Sequence, residues 1–313
     1  MSNAYLAKSM PDSSDQQHQP PMTSEDALAR EERKEHTSML LLLTPALVMV
    51  VVLLIMPLCW LAFQSVQTEE GFSLANYIRI FQESIYWDTF ALTFKISFLV
   101  TILSIVMGFP IAYAASRLQG FWANLILICV ILPFWTSVLV RAYAWLVLLQ
   151  RRGLVNQTLM DLGIIDQPLT LMHNTTGTVI GTLHVMLPFM VLPLYSVMKK
   201  IPQDLMQASE SLGAKPFYTF RRVILPLATP GISVVAITTF IGAYAQQFIF
   251  ALTFNSKTEY MPLPIGLFAY FGRQEVIWNE LMAASFVGIA PAMIVIFFLQ
   301  RYLVSGLTAG AIK

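Results

Sequence analysis

The chain has 313 residues, of which 56% are hydrophobic and only 12% charged, and its mean hydropathy is +0.64. Soluble domains carry about 25% charged residues, so most of this chain is not built to be wetted by water, and lipid is the alternative solvent. A net charge of +1 gives no basis for a nucleic-acid partner, and two cysteines, Cys59 and Cys129, exclude a disulfide framework or a zinc cluster.

Residues 1–38 are a different material. Met10 to Met22 is rich in Pro, Ser, Gln and Asp without apolar periodicity, and reads as disordered. Ser24-Glu25-Asp26 can cap a short charged helix running to Arg33. The first apolar run begins only at Met39, further in than a signal peptide places it, so it is expected to stay as a membrane anchor.

From there the sequence predicts an all-α integral membrane protein over 39–313. Crossing a bilayer core of ~30 Å takes about 20 helical residues, and six segments are long enough: Met39–Phe63, Phe90–Ala115, Ala123–Leu149, Thr178–Met198, Val223–Phe254 and Leu281–Tyr302. Pro226 and Pro230 break the fifth near its start, while Pro57, Pro110, Pro133 and Pro188 lie inside or near the ends of others. Such prolines are tolerated where neighbouring helices re-satisfy the freed carbonyls, which argues for a packed bundle. With the N-terminus inside, the inner side holds twelve Lys and Arg and the outer side five. Both termini are therefore expected in the cytoplasm. The outer segments 64–89, 150–177 and 255–280 are long enough to form a cap.

Between the fourth and fifth spans lies the one sizeable polar island of the second half, residues 199–224. Asp204 and Gln207 have capping-box spacing. Leu205, Ala208, Ser209 and Leu212 fall on one narrow helical face. Gly213 is placed to end the helix in a left-handed turn, and Pro216 to open a second helix. On physics alone this is either a connecting loop or a compact docking helix.

Its spacing resembles the loop of permeases driven by ATP-binding-cassette subunits. That pattern is Glu-Ala-Ala, three residues, Gly, nine residues, Ile, one residue, Leu-Pro; here the positions hold Gln207-Ala208-Ser209, Gly213, Val223 and Leu225-Pro226. The resemblance implies a type I importer permease fold of six transmembrane helices with a cytoplasmic coupling helix. It implies an ATPase-coupling role for Asp204, Gln207, Ala208, Ser209, Glu210, Leu212, Gly213, Ala214, Leu225 and Pro226. Several further stretches look like the first permease of spermidine/putrescine importers. They are Leu74-Ala75-Asn76-Tyr77, Leu132-Pro133-Phe134-Trp135-Thr136, Arg141-Ala142-Tyr143-Ala144-Trp145, Gly153-Leu154-Val155-Asn156 and the run from Leu187 to Tyr195. The final third, from Phe248-Ile249-Phe250 through Leu263-Pro264-Ile265-Gly266 to the last fifteen residues, looks more like permeases of carbohydrate importers.

Polar groups inside spans are costly and often functional. Lys95 either snorkels to the outer interface or lines a pathway. Arg141, near Trp135, Tyr143 and Trp145, is either a structural anchor or a pathway group, and His184 either packs or lines. Tyr244, Gln246, Gln247 and Asn255 form the richest polar cluster, with Gln246 and Gln247 pointing in different directions. The span interiors contain no Asp or Glu. A polyamine would then find its charge recognised elsewhere, whereas a sugar suits Gln, Asn, Tyr and Trp.

The chain has no Gly-x-x-x-x-Gly-Lys-Ser/Thr phosphate loop. The expected function is thus that of a non-enzymatic subunit in a bacterial inner membrane. It would form half the pathway for a small solute, first of all a polyamine, alternatively a carbohydrate. No cofactor is expected on this chain; ATP and magnesium belong to a partner ATPase pair. The other partners implied are a second permease and a solute-binding protein. The remaining alternatives are a membrane scaffold that only recruits a cytoplasmic partner, and a secondary carrier, which would need inverted repeats and an intramembrane acid that the sequence does not show.

Overall fold

The computed structural model describes residues 24–68, 71–255, 258–268 and 277–308. A first unit runs to Trp60 and a second begins at Leu61. In the first, α1 (Ser24–Val50) continues through a π-helical turn, Val51–Ile55, into the start of α2 (Met56–Ser65). The charged stretch from Ser24 thus runs without interruption into the apolar one; residues 1–23 lie outside the described residues. Side chains from Met39 to Trp60 are exposed on every face of the helix, as befits a segment whose solvent is lipid.

The second unit opens with the end of α2 and a two-residue hairpin, β1 (Gln67–Thr68) against β2 (Gly71–Phe72). Then come α3 (Ala75–Gln82), α4 (Ser84–Arg117), α5 (Phe121–Ile131), α6 (Val138–Leu149), α7 (Leu154–Asp161) and α8 (Thr175–Lys199). The polar island holds α9 (Gln203–Ser211) and α10 (Pro216–Thr219). The chain closes with α11 (Leu225–Ala245), α12 (Phe248–Phe254), α13 (Leu263–Phe268) and α14 (Trp278–Thr308).

Long helices α4 and α8 form the central pair, α11 packs on both, and α14 packs on α11. Ile96 and Val100 of α4 meet Val185 and Met186 of α8 and Phe250 and Phe254 of α12 in one buried cluster. Met190, Val191, Leu194 and Met198 continue the seam with Ala112 and Val235. Small residues permit the close approach, as expected where lipid removes the hydrophobic drive for helix association: a side chain at Gly181 would collide with the Phe250 ring. One face of α4 carries Thr89, Thr93, Ser97 and Thr101, each donating its hydroxyl to the carbonyl four residues earlier at 2.7 Å. At one end of the bundle Arg79 of α3 pairs with the buried Glu280 of α14 and with Glu83. The Glu83 hydrogen bond and the Glu280 charge together hold the Arg79 guanidinium above its usual range.

Among the described residues, five helical stretches are long and apolar enough to cross a membrane, or six if one bent pair counts as a span. Two of the expected spans are reshaped. The third is two helices meeting at 102°, because Pro133 sits in a 3₁₀ turn, Leu132–Trp135, and Thr136 and Ser137 are extended. The fifth is continuous where a break was expected and broken where none was. Pro226 and Pro230 lie within a helical stretch from Pro216 to Ala245, since the π turn Phe220–Ile224 widens the backbone just before Pro226. The same device precedes Pro57. The interruption falls instead at Gln246-Gln247, ahead of α12.

Candidate functional site

The polar island folds into a short exposed helix with a firm stop. α9 ends in a paired C-terminal closure: Gly213 N–H donates to the Glu210 carbonyl at 2.9 Å and Ala214 N–H to the Ser209 carbonyl at 3.1 Å. Gly213 has φ +77°, the left-handed conformation that makes this closure possible. Pro216 occupies the first turn of α10, as its fixed φ and missing donor favour. The start differs from the expected capping box. Pro202 is the N-cap and no side chain caps the helix. Asp204 instead lies in the first turn, where its charge complements the helix dipole.

Two faces of α9 separate clearly. Met206 packs inward with Ile201, Ile224 and Ala228, and Ser209 Oγ lies 2.8 Å from Thr219 Oγ1 in a hydroxyl–hydroxyl bond to α10. The serine standing where the family pattern has alanine therefore joins the two short helices. Outward, Asp204, Leu205, Gln207, Ala208 and Glu210 are exposed, and Leu212 is 88% exposed. Beyond Gly213 and the half-buried Ala214, Phe217 and Tyr218 are exposed too. Phe220 anchors the assembly, edge-on to Phe109 and Tyr113 of α4. Leu225 is half-buried and Pro226 exposed where α11 begins.

The polar groups within the spans fall into two sets. One set staples helices. The buried Tyr244 hydroxyl donates to the Gly288 carbonyl of α14 at 2.7 Å. Gln247, fully buried, donates from Nε2 to the Thr93 carbonyl at 3.1 Å and to Ser97 Oγ at 2.7 Å. Asn255 Nδ2 donates to Thr178 Oγ1 at 2.9 Å. The other set is not consumed by architecture. Gln246 is exposed and lines a cavity of about 250 Å³ with Val138, Val185 and Phe248 to Phe250. Trp135, 88% exposed, stands at the bend, and Tyr143 is exposed on α6. Arg141 on α6 is half-buried, and its Nε and Nη1 are shielded from solvent with no acceptor. One α-helical turn on, Trp145 Nε1 donates to His184 Nδ1 at 2.9 Å, which leaves the imidazole proton on Nε2. His184 also lines a largely apolar cavity of about 510 Å³ with Trp122, Pro133 and Pro188. Lys95 is exposed on α4.

Sequence reasoning grouped Tyr244, Gln246, Gln247 and Asn255 together; the fold turns three of them into struts and leaves Gln246 on a cavity wall. It passed over Thr93 and Ser97, although the four-residue spacing of Thr89, Thr93, Ser97 and Thr101 marks a polar stripe on one helical face.

Residues 104–309 match the family described as binding-protein-dependent transport system inner membrane component. The chain belongs to that family. It is similar to the inner membrane ABC transporter permease protein YdcU of Escherichia coli (strain K12), 32% identical over 270 residues, covering 78% of this chain and 81% of that protein. The spermidine/putrescine transport system permease protein PotB of the same organism is 36% identical over 161 residues, 51% of this chain. There the chain spans 58% of the relative's length, less than two thirds. The sulfoquinovosyl glycerol transport system permease protein SmoH of Agrobacterium fabrum is 30% identical over 271 residues, 83% of this chain and 89% of that one. Among solved structures, a chain of a bacterial ABC transporter involved in the import of the acidic polysaccharide alginate superposes with a TM-score of 0.72. It covers 88% of this chain and 97% of its own at 16% identity. The fold is therefore that of an ABC importer permease.

Proposed function

We propose that this chain is the transmembrane permease subunit of an ATP-driven importer, forming half of a translocation pathway for a small solute delivered by a binding protein. The observation that carries the reading is α9. It is a short helix fixed at its C-terminal end by the Gly213 closure and the Ser209–Thr219 bond, with Leu205, Gln207 and Leu212 turned to solvent. A rigid helix with an exposed apolar edge is suited to a groove on another protein, here an ATPase of a pair that binds ATP and magnesium. Phe220 against α4 and the unbroken run into α11 give its movement a stiff route into the bundle. On this reading loop 199–224 and both termini are cytoplasmic in a bacterial inner membrane, and a second permease completes the pathway. ATP biases two states of the dimer by binding the ATPase subunits differently in each.

Polyamine import is the first substrate reading, on the strength of the spermidine/putrescine relatives. A carbohydrate is the second, and two observations favour it: Gln246 lines its cavity beside apolar walls, and the six apolar segments contain no carboxylate to hold a cation. Gly213→Val tests the coupling. A β-branched residue is strained at φ +77°, so uptake and co-purification of the ATPase should both be lost while the chain still inserts. Uptake at the wild-type rate would refute it. Competition of uptake by spermidine, putrescine and neutral sugars separates the two substrate readings.

A further inference from the structure

The cavity of about 510 Å³ beside the bend at Thr136-Ser137 takes no part in the coupling. Ile111 of α4, Trp122 and Leu125 of α5, Pro133 of its 3₁₀ extension, and His184 and Leu187 of α8 wall it. These walls are almost wholly apolar, and His184 already spends Nδ1 on the Trp145 indole. A polyamine or a sugar crossing here would lose its hydration and gain few partners, so the cavity is a poor stage for a polar solute.

Its dimensions match half a bilayer. From Trp122 to Pro133 the chain rises roughly 16 Å at 1.5 Å per residue, about half of a ~30 Å hydrocarbon core. Spread over that length, the volume leaves a groove only about 6 Å across, too narrow for a helix of roughly 10 Å diameter. Another helix can cover such a groove but not fill it. An extended acyl chain of one leaflet has the required length and width.

One end of the groove is polar. His184, Pro188, Tyr195 and Lys199 follow one another at intervals of four, seven and four along α8, and so lie on one face. Pro188 also lines the cavity, and Lys199 stands roughly 16 Å beyond it, the same interval that separates Pro133 from Trp122. α4 and α8 run in the same direction, with Val100 clustered with Met186 and Ala112 with Met190 to Met198. The turn that leads from α4 to Trp122 therefore lies at the Lys199 end. There Lys199 Nζ donates to the Tyr195 hydroxyl at 2.9 Å and sits 5.3 Å from the ring centroid. Lys199 and Lys200 are exposed, and neither forms an ion pair among the described residues. The acids of α9, Asp204 and Glu210, are exposed on that helix and engage neither lysine. Phe121 and Trp122 are exposed beside them in sequence at the start of α5. A cation flanked by a phenol and an indole is the composition of the headgroup layer.

We propose that this groove holds one acyl chain of an anionic phospholipid, with the phosphate set against the Lys199 ammonium beside Trp122. Basic pockets between spans on the cytoplasmic side suit anionic headgroups. The inference rests on the orientation given with the importer reading, which puts Lys199 in the anionic inner leaflet. Seated there, the lipid braces α5 against α8 below the bend.

The test uses the complete transporter in mild detergent, supplied with phosphatidylglycerol or phosphatidylcholine of identical oleoyl chains, with retained lipid counted by native mass spectrometry. Wild type should keep phosphatidylglycerol through a wash that strips phosphatidylcholine. Lys199→Gln should lower retention about fivefold, the worth of one lysine at an anionic surface, and Lys199→Arg should retain it as wild type does. Leu125→Trp, which fills the groove, should abolish retention, whereas Leu125→Ala, which leaves it open, should not. Retention in Leu125→Trp equal to wild type overturns the groove, and equal retention of the two lipids overturns the headgroup site. Photoreactive p-benzoylphenylalanine in place of Leu125 should form an adduct with lipid; an adduct with the second permease instead overturns the proposal. The importer reading fails separately, if ATP drives no uptake by a wild-type transporter that still retains the lipid.

Discussion

Two interruptions in the apolar bundle, the bend at Thr136-Ser137 and the break at Gln246-Gln247, are treated in opposite ways. The second is stapled on both sides: Tyr244 to Gly288 before it, Gln247 to Thr93 and Ser97 after it. The first is left open. Trp135 beside it is 88% exposed, and Arg141 just beyond carries guanidinium nitrogens without acceptors. In lipid every freed polar group needs a partner within the protein. A stapled break is therefore architecture, and an open one is where a solute, a second subunit or a second conformation supplies what is missing.

That contrast can be broken by measurement. The largest effect should come from Gln247→Ala, which removes two buried bonds at roughly 1 kcal/mol each. A loss of about 2 kcal/mol should appear as a lower unfolding temperature in detergent; an unchanged one would mean the staple is idle. Tyr244→Phe deletes one bond with little change of shape, and about 1 kcal/mol should be lost in the same assay. Arg141→Met should do the opposite, leaving stability unchanged or slightly raised because a half-buried guanidinium with two shielded, acceptor-less nitrogens is replaced by an apolar side chain. Its effect should fall on uptake, and clear destabilisation would show that Arg141 is a strut after all.

The same physics explains what could be read beforehand. The apolar segments were legible because lipid imposes length and hydropathy on any span. The end of α9 was legible because a left-handed turn asks for Gly213 and a helix start tolerates Pro216. The start of α9 was misread: Asp204 had the spacing of a cap, but the extended Pro202 took that position and moved Asp204 into the first turn. The interruption near the start of the fifth span was misread for a related reason. Pro226 was expected to break the helix, and a π turn absorbed it. Local chemistry names a residue's possibilities, and the neighbouring backbone chooses among them.

Gln246 and Gln247 mark the same division most sharply. The two amides are adjacent and chemically identical, and the sequence alone established only that two polar groups interrupt an apolar run and point in different directions. Which became a buried staple was decided by where the fold sets the break beside α4, whose Thr93 carbonyl and Ser97 hydroxyl take both amide N–H groups of Gln247. The sequence by itself determined a membrane bundle with one polar island, because solvent partition and turn stereochemistry act on each segment separately. Only the tertiary structure decided which polar groups are consumed as struts and which, like Gln246, are left facing a cavity, because hydrogen-bond partners 150 residues apart are brought together by the fold alone.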